Sequence, residues 1–334
     1  DYTAKNVART TTADDALVAE FPRVAEVKKI VDEALATAAE IGNQVKGSVT
    51  ADITRAHSGG PYVDGRYTGG TSDDRANEST MGNLVADALQ TTLASADRGG
   101  AEIGVVNPGG FRADFLYAPD GSITYAEANA VLPFLNNLWT TTLTGAQFKS
   151  VLEEQWQTAA PGQPTPSRPY LQLGLSDNVE YTYDASRAQG DRITGVWVDG
   201  EPIVADRDYR IGSFGFLLQG GDNFRTFAEG EQARDSGLVD RDAWIAYLEA
   251  NPGLSPEFDR KSVAVTNTPT ETVEPGSTVS FDVSKLDLTS LGSPANTSLS
   301  AEWSGSDAAF EPIPVAGGAA TVSLTVPADA PADS

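Results

Sequence analysis

The chain has 334 residues, which favours two domains, and 40% of them are hydrophobic, enough for ordinary packed cores. Its formal net charge of −24 opposes binding to DNA, RNA or an anionic membrane, since such binding depends on cations. There are no cysteines, which excludes disulfides, zinc-thiolate sites and thiol nucleophiles, and no apolar run approaches the ~18 residues of a membrane span.

A single histidine, His57, lies in the segment Arg55-Ala-His-Ser-Gly-Gly60. Serine-histidine triads, histidine-zinc sites and two-metal phosphatase centres all need imidazole groups in defined places. His57 has no partner pattern around it, so we interpret it as an incidental loop residue. The sequence therefore predicts neither a catalytic residue nor a metal site in this chain.

The first half of the chain predicts helices and strands in alternation. The expected elements are a polar linker over 1–19, a helix over 22–41, a short strand over 47–55, a glycine-rich loop over 58–72, a helix over 78–96 and a buried strand over 103–106. The helix over 22–41 carries one apolar stripe, which we expect to pack on the body that follows. Residues 1–45 are accordingly predicted to be an interdomain linker.

The second half continues the mixture without strict βαβ repetition. The expected elements are a strand around 131–134, a helix starting at Thr144 with the capping-box pair Thr144 and Gln147, paired strands over 170–175 and 179–184, strands over 193–198 and 209–213 joined through Asp199-Gly200, a loop over 220–222 and a helix over 240–250. This order predicts an α+β fold with a mixed sheet over residues 46–258.

After Arg260 the pattern changes to short alternating runs separated by proline and glycine. No helical periodicity remains there. Residues 262–334 are therefore predicted to form a small, truncated all-β sandwich of immunoglobulin-like type. Because the sequence begins with Asp1 and ends without a clear domain boundary, we expect a piece of a longer protein.

Four stretches carry a family resemblance, and each would be weak alone. They are Arg75-Ala-Asn-Glu-Ser-Thr-Met-Gly-Asn-Leu84, Asn107-Pro-Gly-Gly-Phe-Arg112, Leu132-Pro-Phe-Leu-Asn136 and Phe216-Leu-Leu-Gln-Gly-Gly-Asp222. Together, in this order and spacing, they resemble the C-terminal, substrate-binding domain of the 5′-nucleotidase and UDP-sugar hydrolase family. The resemblance covers roughly residues 45–250 and implies a secreted bacterial bifunctional metallophosphatase/5′-nucleotidase as the parent.

The resemblance implies roles for seven residues. Phe134 and Phe216 correspond to aromatic side chains that sandwich the base, and Asp222 to a carboxylate that accepts hydrogen bonds from the ribose hydroxyls. The remaining four are two arginines that reach the ribose and phosphate end, an asparagine that orients Arg112 or touches the ligand, and an asparagine at the base edge: Arg75, Arg112, Asn107 and Asn136. For the two phenylalanines the competing interpretation is an ordinary core position.

Family members cleave the nucleotide with an N-terminal domain that holds two divalent metal ions. This chain lacks the Asp-x-His and Asn-His-Glu motifs of that domain. The resemblance therefore implies a nucleotide-recognition domain that is inactive alone, with a small nucleotide or nucleoside and its own phosphatase domain as partners. Its composition is typical of an extracellular or wall-attached protein. The alternatives are the same domain in an extracellular nuclease, a cyclic phosphodiesterase or a UDP-sugar hydrolase, and, in another class, a non-catalytic surface adhesion module.

Overall fold

The structure is a computed structural model that describes residues 2–159 and 162–330. Within those residues the α-helices are α1 Asp14–Glu20, α2 Pro22–Gly42, α3 Thr80–Leu93, α4 Tyr125–Val131, α5 Gly145–Glu153, α6 Gly215–Leu218 and α7 Asp240–Ala250. Two short 3-10 helices lie at Gly221–Asn223 and Arg225–Glu229. The last four residues of the predicted C-terminal unit lie outside the described part of the chain.

The strands up to residue 200 are β1 Val45–Ser48, β2 His57–Ser58, β3 Tyr62–Val63, β4 Arg66–Tyr67, β5 Thr71–Ser72, β6 Ile103–Val106, β7 Ser122–Thr124, β8 Asn137–Thr144, β9 Gly174–Leu175, β10 Val179–Tyr183 and β11 Ile193–Val198. The later strands are β12 Glu201–Pro202, β13 Asp208–Phe214, β14 Glu231–Val239, β15 Ser262–Thr266, β16 Thr278–Ser284, β17 Ser298–Leu299, β18 Ile313–Pro314 and β19 Ala320–Thr325.

A five-stranded sheet in the order β14-β8-β13-β6-β9 forms the centre of the molecule. The pair β13 and β6 is parallel, whereas the other three pairs are antiparallel. All four residues of β6 are buried, as expected for a strand covered on both faces. The predicted α+β fold with a mixed sheet is confirmed.

Two hydrophobic cores cover the two faces of this sheet. One core includes Met81, Val85 and Leu89 of α3 together with residues of α4 and α7. The other includes Phe148 and Val151 of α5, packed with residues of β10 and β11. Burial of each such side chain contributes about 1.5–3 kcal/mol to stability. This free energy determines which face of each helix packs against the sheet.

The predicted helix starts depend on side-chain caps that the structure contains. The Ser79 side chain accepts a hydrogen bond from the backbone nitrogen of Gly82 at the start of α3, at 3.0 Å. At the start of α5, Thr144 and Gln147 form the predicted capping box in both directions. The helices predicted around 78–96 and from Thr144 are therefore confirmed, and α7 has the predicted bounds.

The strand predicted around 131–134 is wrong. A capping box between Thr124 and Glu127 starts α4 there instead, and this helix runs to Val131. Leu135 then has a left-handed backbone with φ 58°, which ends any extended run, and β8 begins only at Asn137. Val131 therefore belongs to the end of α4, and residues 132–136 form an irregular connection to β8.

Two predicted strand connections are also wrong. The strand at 174–175 pairs with β6, whereas β10 pairs with β11 and β15, so the two expected partners lie in different sheets. Asp199 and Gly200 both have positive φ and form a tight turn, but this turn joins β11 to β12 rather than to β13.

The N-terminal segment differs from the expectation in two ways. The predicted polar linker contains α1, and the apolar stripe of α2 does not pack on the body. Val27, Val31 and Leu35 of that stripe are 59%, 47% and 63% exposed, and neither helix contains a buried residue. Only the end of α2 approaches the body, where a β-carbon on Gly42 would lie 3.5 Å from that of Ala126.

The C-terminal strands join a second sheet, in the order β12-β11-β10-β15-β16-β19. β15 pairs in parallel with β10, with Tyr181 opposite Ser262. A small core beneath the tail contains Val283, Leu286 and Val322. Residues 262–330 are thus all-β as expected, but their sheet crosses the expected boundary at 258–262. A self-contained immunoglobulin-like sandwich would not share its sheet with the preceding domain, as these strands do. The immunoglobulin-like type of this unit stays a prediction.

Candidate functional site

Three connecting segments meet at one edge of the five-stranded sheet. β6 and β13 are parallel, so the segments that follow them, 107–112 and 215–222, lie at the same edge. β8 is antiparallel to β13, with Leu138 opposite Phe214, so the segment that precedes β8 lies there too. The predicted residues between 107 and 222 are therefore brought together by the strand directions.

These segments enclose a cavity of about 440 Å³. That volume is typical of small-molecule sites, which range from about 300 to 1,000 Å³. Six of the seven predicted residues line it, namely Arg75, Asn107, Phe134, Asn136, Phe216 and Asp222. The other lining residues, which sequence reasoning did not single out, are Gly109, Gly110 and Phe214.

Phe134 and Phe216 are 55% and 51% exposed, so neither is a core residue. Phe216 lies on the one-turn helix α6, and its ring rests on the following loop, because a β-carbon on Gly221 would come within 2.5 Å of the ring. Two exposed aromatic side chains on separate segments that line one cavity need an explanation other than packing. Their ring separation, expected at about 7 Å, stays a prediction.

Arg112 is the one predicted residue that does not line the cavity. Its guanidinium carbon lies 5.9 Å from the centroid of the Phe134 ring, within the range of a cation–π contact. Arg112 therefore lies against one wall of the cavity through Phe134. Its expected contact with a phosphate stays a prediction.

Asp222 is held in place by Asn107. The Asn107 side-chain nitrogen donates a hydrogen bond to Asp222 Oδ2 at 2.6 Å, and Asn107 is 3% exposed. Asn107 thus orients Asp222 rather than Arg112. Asp222 has φ 52° and ψ 30°, a left-handed conformation that, among residues other than glycine, Asp and Asn tolerate best.

Arg75 is fixed from behind by a second carboxylate, one that the sequence analysis missed. Its Nε and Nη2 donate to the two oxygens of Asp73 at 3.1 and 3.2 Å, a paired geometry. The remaining Nη1 lies beside Gly109. A β-carbon on Gly109 would lie 3.2 Å from that nitrogen, 3.4 Å from the Asn107 amide nitrogen and 3.4 Å from Asp222 Oδ2. Three polar side chains therefore converge on Gly109.

Arg55 and Asp114 extend this ion-pair network away from the cavity. Arg55 donates to both oxygens of Asp114 at 3.0 Å, and its Nη1 lies 3.7 Å from Asp73. Burial acts to raise the pKa of Asp114, but hydrogen bonds from Arg55 outweigh it, so the pKa lies below its usual value. The hydrogen bond to Asp114 raises the pKa of Arg55. Both groups are therefore held charged behind the cavity.

Asn136 is attached to the start of α7. Its side-chain nitrogen donates to Asp240 Oδ2 at 2.9 Å, and its backbone oxygen accepts from the Asp240 nitrogen at 2.9 Å. Asp240 is 1% exposed, and this burial raises the pKa of its carboxyl. Because both of these hydrogen bonds go to Asp240, the position of Asn136 at the cavity depends on α7. The helix itself was predicted, but its contact with Asn136, about 100 residues away, was not.

His57 is not a loop residue as expected. It lies in β2, is 7% exposed, and its Nδ1 lies 3.2 Å from the backbone oxygen of Arg55. Across residues 2–159 and 162–330, no group of three or more His, Cys, Asp or Glu side chains is placed to hold a metal ion. No helix in the same residues is long and apolar enough to cross a membrane.

Comparison with known proteins gives several matches to this region. Cell wall protein Lmo0130 of Listeria monocytogenes is 31% identical over 160 residues, covering 46% of this chain and 19% of that protein. The trifunctional nucleotide phosphoesterase protein YfkN of Bacillus subtilis is 30% identical over 194 residues, covering 56% of this chain and 12% of that protein. The chain thus spans less than a fifth of the length of either relative.

Among solved structures, the 5′-nucleotidase precursor from Thermus thermophilus is similar with a TM-score of 0.54 and 26% identity. This likeness covers 72% of the present chain and 44% of that one. Residues 47–229 match the family model of the 5′-nucleotidase C-terminal domain, and they include every residue that lines the cavity. Because this match covers more than half of the chain, the chain belongs to the family of 5′-nucleotidase C-terminal domains.

Proposed function

We propose that the cavity binds the nucleoside part of a nucleotide. The observation that carries this proposal is the pair of half-exposed phenylalanines, Phe134 and Phe216, beside the fixed carboxylate of Asp222 in one cavity. A core role would bury both rings. Stacking of a base between them accounts for their exposure and contributes about 1–3 kcal/mol per base.

Asp222 is suited to the ribose hydroxyls. Its Oδ2 already accepts a hydrogen bond from Asn107, which fixes the direction of the carboxylate. An ionised carboxylate has about four lone-pair sites, so acceptors remain for a vicinal diol. Asn136 lines the same cavity and is assigned to the edge of the base.

Arg75 is assigned to the phosphate end of the ligand. Asp73 takes two of its N–H directions, and Nη1 remains beside Asp222 and Gly109. The net charge of −24 does not prevent this contact, because distant charges are screened within ~8–10 Å. Arg112, against Phe134, supplies a second cation near the cavity mouth.

The parent protein is assigned as a 5′-nucleotidase-type phosphohydrolase, of which this chain grips and orients the substrate. In this proposal two divalent metal ions in a separate N-terminal phosphatase domain supply the water-activating chemistry. The described residues contain no ligand group that fits such ions. The domain would serve equally in an extracellular nuclease, cyclic phosphodiesterase or UDP-sugar hydrolase. An extracellular or wall-attached location is supported by the similarity to a cell wall protein.

Titration calorimetry with adenosine and AMP tests the binding proposal. Phe134→Ala and Phe216→Ala should each raise the adenosine Kd by about 5- to 150-fold, the equivalent of 1–3 kcal/mol. Phe21→Ala is the matched control, because Phe21 is 45% exposed and lies between α1 and α2. Absence of adenosine binding by the unaltered chain would refute the proposal and favour the surface adhesion module.

A phosphate-release assay tests the division of labour. We expect the chain to release no phosphate from AMP, ADP or UDP-glucose with added Mn²⁺ or Zn²⁺, because it lacks a metal-ligand group in the described residues. Metal-dependent turnover by the purified chain, abolished by a chelator, would overturn the assignment of catalysis to a separate domain.

A further inference from the structure

A buried carboxylate joins the C-terminal strands to the segment that carries Arg75. Glu78 is 1% exposed and precedes α3. Its Oε1 accepts from the backbone nitrogen of Lys261 at 2.8 Å and from the Asn83 side chain at 3.0 Å. Its Oε2 accepts from the nitrogen and hydroxyl of Ser262 at 3.1 and 2.6 Å, and the Arg260 guanidinium lies 3.5 Å away.

A second contact reaches the same segment from further along the tail. The Ser290 hydroxyl accepts from the backbone nitrogen of Thr80 at 3.1 Å and donates to the backbone oxygen of Thr54 at 2.9 Å. Lys285 donates to the side-chain oxygen of Asn77 at 3.4 Å. Two groups of hydrogen bonds, at Glu78 and at Thr80, therefore join the start of α3 to residues beyond 229, where the family match ends.

The segment between β5 and α3 contains no helix or strand of its own. Its geometry therefore depends on individual hydrogen bonds: the Asp74 side chain accepts from the Ala76 nitrogen at 3.0 Å within the segment, and Glu78 is bonded to the C-terminal strands at its end. Glu78 has donors on both oxygens and a cation beside it, which is what a buried carboxylate requires. Arg75 lies three residues before it, and the Arg75 backbone oxygen accepts from the Gln172 nitrogen at 2.9 Å.

We propose that the C-terminal strands are a positioning element of the binding site, and that Glu78, Arg260 and Ser262 are positioning residues for Arg75. The inference rests on the proposed function, in which Arg75 contacts the phosphate end of the ligand. Weakening the Glu78 cluster lets the segment from Asp73 to Ser79 shift. Arg75 Nη1 then leaves the point beside Asp222 and Gly109, while the phenylalanines keep their places on other segments.

The test uses point variants of the whole chain and calorimetry with AMP and adenosine. Ser262→Ala removes one donor to Glu78, and Arg260→Met removes the neighbouring cation. Each should weaken AMP binding by about threefold to tenfold, at most the effect of losing about one hydrogen bond to a charged group. Adenosine binding should stay unchanged. Ser323→Ala is the control, because Ser323 is an exposed serine in β19 of the same tail.

A double-mutant cycle separates positioning from general destabilisation. In an Arg75→Ala background, Ser262→Ala should no longer change the ratio of AMP to adenosine affinity. Equal weakening of both ligands, an effect that persists without Arg75, or a change in melting temperature alone would overturn the inference. If Arg75→Ala itself leaves the ratio unchanged, it is the phosphate assignment of Arg75 that fails.

Discussion

Adjacent glycines at the cavity edge provide a paired test of the site. Gly109→Ala places a methyl group 3.2 Å from Arg75 Nη1 and 3.4 Å from the nearest atoms of Asn107 and Asp222. The contacts at 3.4 Å are ordinary van der Waals distances, whereas the contact at 3.2 Å requires Arg75 Nη1, on a side chain paired with Asp73, to move by a few tenths of an ångström. Gly110→Ala places its methyl 2.6 Å from the Phe214 ring and 2.9 Å from Asn107 Oδ1.

The two variants should therefore fail in different ways. Gly110→Ala overpacks the buried Phe214 and should cost about 1–3 kcal/mol of stability, which lowers the melting temperature by roughly 2–4 °C per kcal/mol for a domain of about 150–250 residues. Gly109→Ala should leave the melting temperature within about 1 °C of the unaltered chain on the same scale. Its methyl stands where the ribose is expected, so adenosine binding should weaken about tenfold or more.

Thermal unfolding and calorimetry on both proteins decide between these outcomes. Free adenine, which lacks the ribose, is the ligand control for Gly109→Ala and should bind as it does to the unaltered chain. Reversed behaviour, with Gly109→Ala destabilised and its adenosine binding intact, would refute the placement of the ribose beside Gly109.

Asp222→Asn keeps a residue that tolerates the left-handed backbone but removes the carboxylate, so calorimetry should show weaker adenosine binding and unchanged adenine binding. Burial raises the pKa of Asp87 from 3.8 to about 7, so its contribution to stability is complete below pH 3.8 and is lost as the pH rises through 7. Asp87→Asn should therefore raise the melting temperature at pH 8 and leave it unchanged near pH 4; an equal shift at both would contradict this. Helix α2 should exchange its amide hydrogens faster than β6, since it buries no residue.

The sequence predicts best where a strong local signal coincides with the tertiary environment. The four buried residues of β6 and the capping box of α5 were both predictable for this reason. The error at 131–134 arose because a short apolar run was interpreted as a strand. The capping pair Thr124 and Glu127 was a local signal for α4, which ends at Val131, and the left-handed backbone of Leu135 excludes an extended run after it. Strand pairing was the weakest inference, since partners such as β10 and β15 are about 80 residues apart.

For the site, residue types were predictable and their supports were not. The family resemblance pointed to six of the residues that line the cavity. Asp73 fixes Arg75 from two residues away, a local contact that the sequence analysis did not use. The contact of Asn107 with Asp222 instead depends on strand order and on a left-handed backbone at residue 222. No periodic pattern encodes that contact, because it joins segments that meet only after the sheet has formed.

The local charge at the cavity makes a final prediction about its ligand. In a chain with a net charge of −24, the three arginines in and behind the cavity face at least as many carboxyl groups. The groups are Arg55, Arg75, Arg112, Asp73, Asp114 and Asp222, with Asp240 behind Asn136. With no local excess of positive charge, Arg75 offsets the repulsion of a phosphate without attracting it strongly. AMP and adenosine should therefore bind the unaltered chain within about tenfold of each other, and Arg75→Ala should leave AMP the weaker ligand. In Arg75→Ala, raising the salt concentration should narrow the difference between the AMP and adenosine affinities, because screening reduces the remaining repulsion of the phosphate. A difference that widens with salt would show that the remaining charges attract the phosphate, and would contradict this charge balance.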